Sequence, residues 1–262
     1  MDLHGGDAKV LAGGHSLLPA MKLRLAQPKT IIDLSRVADL SSIREENGTI
    51  SIGALTTHYQ IESSLLLREK CPLLPEAAAQ IGDVQVRNRG TLGGSLAHAD
   101  PAADWPAVIL ALEAELEIAG PGGRRTVKAA DFFVEMMQTA LQPNEILCGI
   151  RAPVTAKSVA YVKFAQKASG FAIAGVAAVL DQNSKAVRIG ITGIAAKPYR
   201  AAAVEEALQG RALTPELIAD AARKAGQGAE ALNDIHASAE FRLHLAEVNT
   251  RRALERAHAF GG

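Results

Sequence analysis

Along this chain the spacing of apolar residues changes period several times, and each change marks an element. Lys9-Val10-Leu11-Ala12 is a short buried strand that runs into Gly13-Gly14. Ser16 follows in the position of an N-cap, with Leu17, Leu18 and Pro19 in the first helical turn, where proline's missing N–H does no harm. This helix runs to about Leu25 and stops before Pro28, and Thr30 to Leu34 is the next strand. Strand, glycine turn, helix and strand make a βαβ unit whose helix start offers N–H groups to an anion. From Ile43 the pattern becomes a hairpin, Ile43 to Glu45 and Thr49 to Ala54, around Asn47-Gly48, the strongest short turn signal.

Thr57 caps a predicted helix through about Leu67, and Leu74 to Ile81 predicts another, ended by Gly82. The stretch Val84 to Ser95 is odd for a loop, with β-type residues, two arginines and three glycines. Asp104-Trp105-Pro106 then opens an apolar helix through Leu112, with Asp104 as N-cap. Leu116 to Ala119 and Arg124 to Lys128 form a hairpin about Gly120-Pro121-Gly122-Gly123, Ala130 to Met137 is helical, and Glu145 to Ile150 is a strand ended by Pro153. Beyond it come three strands, Ala160 to Gln166, Phe171 to Leu180 and Val187 to Ile194, the last two joined at Gln182-Asn183-Ser184. Three helices follow: Ala201 to Leu208, Pro215 to Gly226, and Ala239 to about His258. Strands followed by a run of helices point to α+β.

Composition narrows the function classes. The 262 residues are 48% apolar with zero formal net charge, an ordinary globular balance without the basic excess of a nucleic-acid or anionic-membrane binder. Cys71 and Cys148 are far apart and can build neither an iron–sulfur cluster nor a structural zinc site. The seven histidines (His4, His15, His58, His98, His236, His244, His258) show no H-x-x-x-H pair, so no metal site is expected. The longest apolar run, Ala172 to Leu180, is too short to span a bilayer, and the N-terminus is no signal peptide. The expectation is a cytoplasmic protein.

The candidate chemistry lies in two glycine pairs. Ala12-Gly13-Gly14-His15-Ser16 and Thr91-Leu92-Gly93-Gly94-Ser95 each follow a turn or strand and end in a hydroxyl residue. Taken singly, each is an ordinary turn. Neither is a G-x-G-x-x-G fingerprint or a P-loop. Taken together they form two jaws for one diphosphate, with backbone donors unobstructed by side chains and hydroxyls to supplement them. Asp104 caps a helix and is also placed to bind a ribose hydroxyl; Asp100 lies just before it. His98 reads as a packed loop residue. Arg87 and Arg89 either are solvated or face an anion or a partner, and Lys167 reads as an exposed strand end. No acid–base catalytic set is visible, so the chain reads as a cofactor holder.

V-L-A-G-G-H-S-L-L-P with T-I-I-D-L, then V-R-N-R-G-T-L-G-G-S-L-A-H-A-D-P-A-A-D-W-P-A-V, resembles the flavoprotein (medium) subunit of carbon monoxide dehydrogenase and other xanthine dehydrogenase-type molybdenum hydroxylases. K-A-S-G-F-A-I-A-G-V-A-A is similar to the motif that opens the family's C-terminal domain. The resemblance implies a vanillyl-alcohol oxidase-like (PCMH-type) FAD-binding domain over residues 1–153, with an N-terminal α/β part (1–40) and a middle part (41–153). A flavin-covering domain over 154–262, a three-stranded antiparallel sheet plus helices, follows. It implies FAD diphosphate on Ala12, Gly13, Gly14, His15 and Ser16 and on Thr91, Gly93, Gly94 and Ser95, the adenosine portion near Asp104, and the ring system near Leu147 and Lys167. Many members carry an aspartate where Gly170 precedes Phe171.

The family also places a strand and most of a helix before the first motif. Here Gly13 comes soon after Met1, Asp2 to Asp7 read as the end of that helix, and the expectation is a start further upstream. A missing edge strand would leave a sheet edge and apolar surface exposed. By resemblance, the chain is an electron-transfer subunit that takes electrons from an iron–sulfur small subunit, beside a molybdenum-cofactor large subunit, in a dimer of heterotrimers, and passes them to an external acceptor. The clusters and the molybdenum cofactor belong to those partners. The alternatives are a stand-alone flavin-dependent oxidoreductase and an apo assembly scaffold.

Overall fold

The computed structural model describes residues 7–181 and 184–259. It opens with the expected βαβ unit: β1 (Ala8–Leu11), α1 (Leu17–Lys22) and β2 (Thr30–Asp33). The two strands are parallel, with Ala8 opposite Thr30 and Leu11 opposite Asp33. They form a sheet of their own, and Leu18, Leu23, Leu25 and Ile31 around them are exposed. The helix expected to end at Asp7 falls on residues 2–6, outside the described residues, as do Gln182 and Asn183 of one expected turn.

β3 (Ile43–Glu46) and β4 (Thr49–Gly53) form the Asn-Gly hairpin; Asn47 and Gly48 both have positive φ (52° and 78°), as a two-residue turn matched to strand twist requires. The single helix expected from Thr57 to Leu67 is two, α2 (His58–Ser63) and α3 (Leu65–Lys70). Ser64 leaves the helical region (φ −68°, ψ 116°), and its hydroxyl accepts from the Leu67 amide to cap the second helix. After α4 (Leu73–Ala78), the stretch that is odd for a loop forms two helices, α5 (Val84–Arg89) and α6 (Leu92–His98). Each has its own cap: Asp83 accepts from the Val86 amide (2.9 Å), and Thr91 from the Gly94 amide (3.1 Å).

α7 (Trp105–Ala111) precedes the hairpin of β5 (Glu115–Gly120) and β6 (Gly123–Lys128). The helix expected over 130–137 is only α8 (Ala129–Phe132). Phe133 then turns extended (φ −91°, ψ 111°), opening the small hairpin of β7 (Phe133–Glu135) and β8 (Gln138–Thr139). β9 (Ile146–Pro153) completes an antiparallel five-stranded sheet in the order β3-β4-β9-β5-β6. Its inner face buries Ile50, Ile52, Leu116 and Ile150 against α2, α4 and α7 in one core. Each such side chain is worth about 1.5–3 kcal/mol.

The last third is the antiparallel sheet β10 (Val159–Ala165), β11 (Ala172–Asp181), β12 (Ala186–Thr192) and β13 (Tyr199–Arg200), followed by α9 (Ala202–Leu208), α10 (Pro215–Ala222) and α11 (Ala239–Ala259). The expected three strands are joined by a fourth of two residues. β11 is buried on both faces, which explains its unbroken apolar run. Ala177 and Val179 join the core shared with α7, while Val176, Ala178 and Leu180 join the core under α9–α11. A Cβ on Gly190 would strike the backbone of Ala107 in α7, so helix and strand lie in direct backbone contact.

Candidate functional site

A cleft of about 580 Å³ runs between the βαβ unit, the helices of the middle part and the start of β11. That volume lies within the usual range of cofactor and ligand pockets. Both glycine motifs line it, and both touch. A Cβ on Gly13 would collide with the Arg89 carbonyl and with Gly90; one on Gly94 would lie 3.3 Å from the Ala12 side chain. The Gly93 amide donates to the Ala54 carbonyl (2.8 Å), and a Cβ there would run into Ala54. Close approach, not a turn, is therefore why most of these positions are glycine. Only Gly14 has positive φ (79°). Gly93 and Gly94 sit in the first turn of α6, which corrects the reading of the second motif as a turn.

The two motifs also differ in what they offer. No acceptor among the described residues engages the amides of Gly14, His15, Ser16 and Leu17. Ser16 makes no capping bond, contrary to expectation, so its hydroxyl stays available. In the second motif the amides of Leu92, Gly93, Gly94 and Ser95 are all engaged, by Thr56, Ala54 and Thr91. There the Thr91 and Ser95 hydroxyls remain. Thr91 Oγ1 accepts from Gly94 and keeps its own proton to donate. One jaw supplies backbone donors; the other supplies hydroxyls and room.

Asp104 lines the same cleft but does not cap α7. Its backbone is already helical, and its carboxylate accepts from Tyr161 Oη (2.6 Å) and pairs with Lys163 Nζ (2.8 Å). Burial pushes its pKa up, opposed by the Lys163 charge and by the bonds from Lys163 and Tyr161. The Asp104 carboxylate thus ties α7 to β10. Asp100 accepts from the Ala102 amide (2.8 Å) at the cleft edge. Leu147, from β9, and His98 also line the cleft. Lys167 is exposed and outside the wall, where Ser169, Gly170 and Phe171 stand instead. Arg87 binds Glu62 (2.7 Å) and the carbonyls of Ile81 and Gly82, so it fastens α5 to its neighbours. Arg89 lies within electrostatic reach of Asp33.

Two wall residues were not legible as site residues. His58 is buried and accepts at Nδ1 from the Trp105 indole (3.1 Å). Glu145, held by Arg125 and by the Gln142 amide, has its pKa lowered to about 2. Both depend on partners distant in sequence. Among the described residues no group of three His, Cys, Asp or Glu could hold a metal, and no helix is long and apolar enough to cross a membrane.

Open amides, free hydroxyls and glycine surfaces that leave space for an elongated ligand fit a dinucleotide diphosphate, and together with the α+β frame they define a cofactor-carrying flavoprotein-type domain pair. Residues 2–155 match the family model described as the FAD binding domain in molybdopterin dehydrogenase, and residues 159–257 match the CO dehydrogenase flavoprotein C-terminal domain. The chain belongs to this family of FAD-binding oxidoreductase subunits. It is 43% identical over 260 residues to the carbon monoxide dehydrogenase medium chain of Hydrogenophaga pseudoflava, covering 97% of this chain and 91% of that one. It is 40% identical over 256 residues to the nicotine 6-hydroxylase medium subunit of Paenarthrobacter nicotinovorans, covering 97% and 90%. A solved carbon monoxide dehydrogenase structure from Hydrogenophaga pseudoflava superposes with a TM-score of 0.94 at 44% identity, covering 98% of this chain and 92% of that one. The fold class, the oxidoreductase class and FAD as cofactor agree with what the sequence motifs implied.

Proposed function

We propose that this chain is the flavin-carrying electron-transfer subunit of a molybdenum hydroxylase complex. It would work beside an iron–sulfur small subunit and a molybdenum-cofactor large subunit, in a cytoplasmic dimer of heterotrimers. When bound, FAD would supply the redox chemistry that links the iron–sulfur partner to an external acceptor. The protein's part is to bind, orient and shield. The amides from Gly14 to Leu17 and the hydroxyls of Ser16, Thr91 and Ser95 hold the diphosphate. Ala12, Gly13, His15, Gly93 and Gly94 shape the space around it. Leu147 and the Ser169–Phe171 turn border the rest of the molecule, with Lys167 next to that turn and Asp104 at the wall between the two parts. Residues 1–153 form the FAD-binding part and 154–262 the cover.

The observation that supports this reading best is the contact between the two motifs, with open amides on one and free hydroxyls on the other. The test is reconstitution of the full chain with FAD, followed by co-expression with an iron–sulfur and a molybdenum-cofactor subunit. The expected result is a yellow protein with FAD bound one to one, whose flavin is reduced by substrate only when the partners are present. Failure to retain FAD, or substrate oxidation by the chain alone, would overturn the proposal.

A further inference from the structure

His58 is the first residue of α2 and stands in the cleft wall beside both glycine motifs. Three interactions fix its position. Thr57 and Gln60 close a capping box around the helix start. The His58 amide donates to the Gly90 carbonyl (3.0 Å). The Trp105 indole, wholly buried, donates to His58 Nδ1 (3.1 Å). This last bond also places the proton. Indole nitrogen only donates, so Nδ1 carries the lone pair and the hydrogen of the neutral ring is on Nε2. Burial first, then the charges of His15 and Arg87, lowers the ring's pKa to about 4, so the ring is neutral at physiological pH.

Nε2 has no acceptor among the described residues. It lies against Gly90, where a Cβ would come within 2.7 Å of it, and Gly13 packs upon the Arg89 carbonyl and Gly90. The missing side chain at position 90 thus leaves a fixed N–H donor at the seam of the two motifs. Among the described wall residues, Lys9 is the only lysine or arginine. A diphosphate bound here would meet mainly neutral donors.

We propose that His58 is a further cofactor-binding residue that donates Nε2–H to a phosphoryl oxygen of the diphosphate, and that Trp105 is the positioning residue that holds this tautomer. The proposal rests on the FAD reading above. It is tested on the full chain by titrating FAD and ADP, with histidine-selective ¹⁵N NMR to follow the His58 ring. In the wild type, His58 shows the Nε2–H neutral tautomer, and its N–H signal shifts when either ligand binds. His58→Leu weakens FAD and ADP alike, by about tenfold or more, the scale of one hydrogen bond to a charged group. Trp105→Phe mixes the tautomers and gives a smaller loss. A His58 signal unmoved at saturating FAD, or a His58→Leu affinity within about twofold of wild type, overturns the proposal while leaving FAD binding intact. A wild-type chain that binds neither ligand overturns the function and this inference together. If His58→Leu does not fold, the wild-type NMR signal still decides.

Discussion

Gly93 and Gly94 are neighbours in one helical turn, yet an added methyl meets different obstacles at each, so a pair of alanine variants separates folding from cofactor binding. At Gly93 the Cβ would enter the Ala54 backbone and side chain, where the Gly93 amide is also bonded. Backbone cannot step aside locally, and overpacking of this kind typically costs about 1–3 kcal/mol. At Gly94 the nearest obstacles are Thr91 Oγ1 (2.6 Å), then the Ala12 side chain (3.3 Å). Thr91 can rotate away at the loss of its cap, about 1 kcal/mol. Alanine in a helix recovers about the same amount relative to glycine. Gly94→Ala should therefore fold with nearly wild-type stability.

Its methyl group, however, projects into the gap between the two motifs and turns away the Thr91 hydroxyl. Losing one hydrogen bond to a charged phosphate removes about 1.5–3 kcal/mol, which is roughly 10- to 150-fold in affinity. The assay pairs urea denaturation of the apo protein with isothermal titration of FAD. The expected pattern is weak FAD binding with intact stability for Gly94→Ala, and lost stability for Gly93→Ala. A Gly94→Ala protein that binds FAD as tightly as the wild type would refute the reasoning, because the diphosphate would then lie elsewhere.

Three other outcomes follow from the charged and thiol groups. Lys163→Met leaves Asp104 buried with only Tyr161 as partner; the loss should be about 3–5 kcal/mol near neutral pH. It should shrink as pH falls, because losing the Lys163 charge raises the pKa of the buried carboxyl further and acid neutralises it; a loss that does not vary with pH would contradict this. Glu145 is held at about 2, below the ordinary carboxyl value of 4.5, so its contribution is complete above pH 4.5 and disappears as pH falls toward 2. Arg125→Met should flatten that acid limb in thermal melts taken across pH, and an unchanged limb would exclude the pair as its source. The buried Cys71 thiol is pushed up to about 11, whereas Cys148 is half-buried. A thiol reagent at pH 8 should label Cys148 first and reach Cys71 only at the rate of opening; equal rates would show a looser core around Cys71.

What could be read from the sequence was local. The Asn47-Gly48 hairpin, the βαβ unit and the long strands each carry their signal within a dozen residues. The second glycine motif shows the limit of such signals. V-Q-V-R-N-R and T-L-G-G-S contain β-branched residues and glycines that are poor helix formers, so composition carries no helix signal. Helix α6 forms because Thr91 caps it and because Ala54 and Thr56, nearly forty residues earlier, accept its first amides. The same strand end excludes a side chain at Gly93. Tertiary bonding thus overrides propensity at the place where the cofactor site is built.

Asp104 and His58 extend this point from the backbone to side chains. A cap position and an acidic residue near a glycine motif suggested a role for Asp104, yet its carboxylate binds Tyr161 and Lys163, 57 and 59 residues later. His58 looked like one scattered histidine among seven, and its proton is placed by Trp105, 47 residues later. Trp105 and Asp104 are adjacent at the start of α7, so one helix end touches the donor at the seam of the glycine motifs and the ion pair that joins α7 to the C-terminal sheet. If this helix end moves as a unit, Lys163→Met should disturb the His58 tautomer as well as stability, and by reciprocity His58→Leu should weaken the Asp104–Lys163 pair. A Lys163→Met protein with an unchanged His58 ring signal would show that the ion pair and the cofactor wall are mechanically separate.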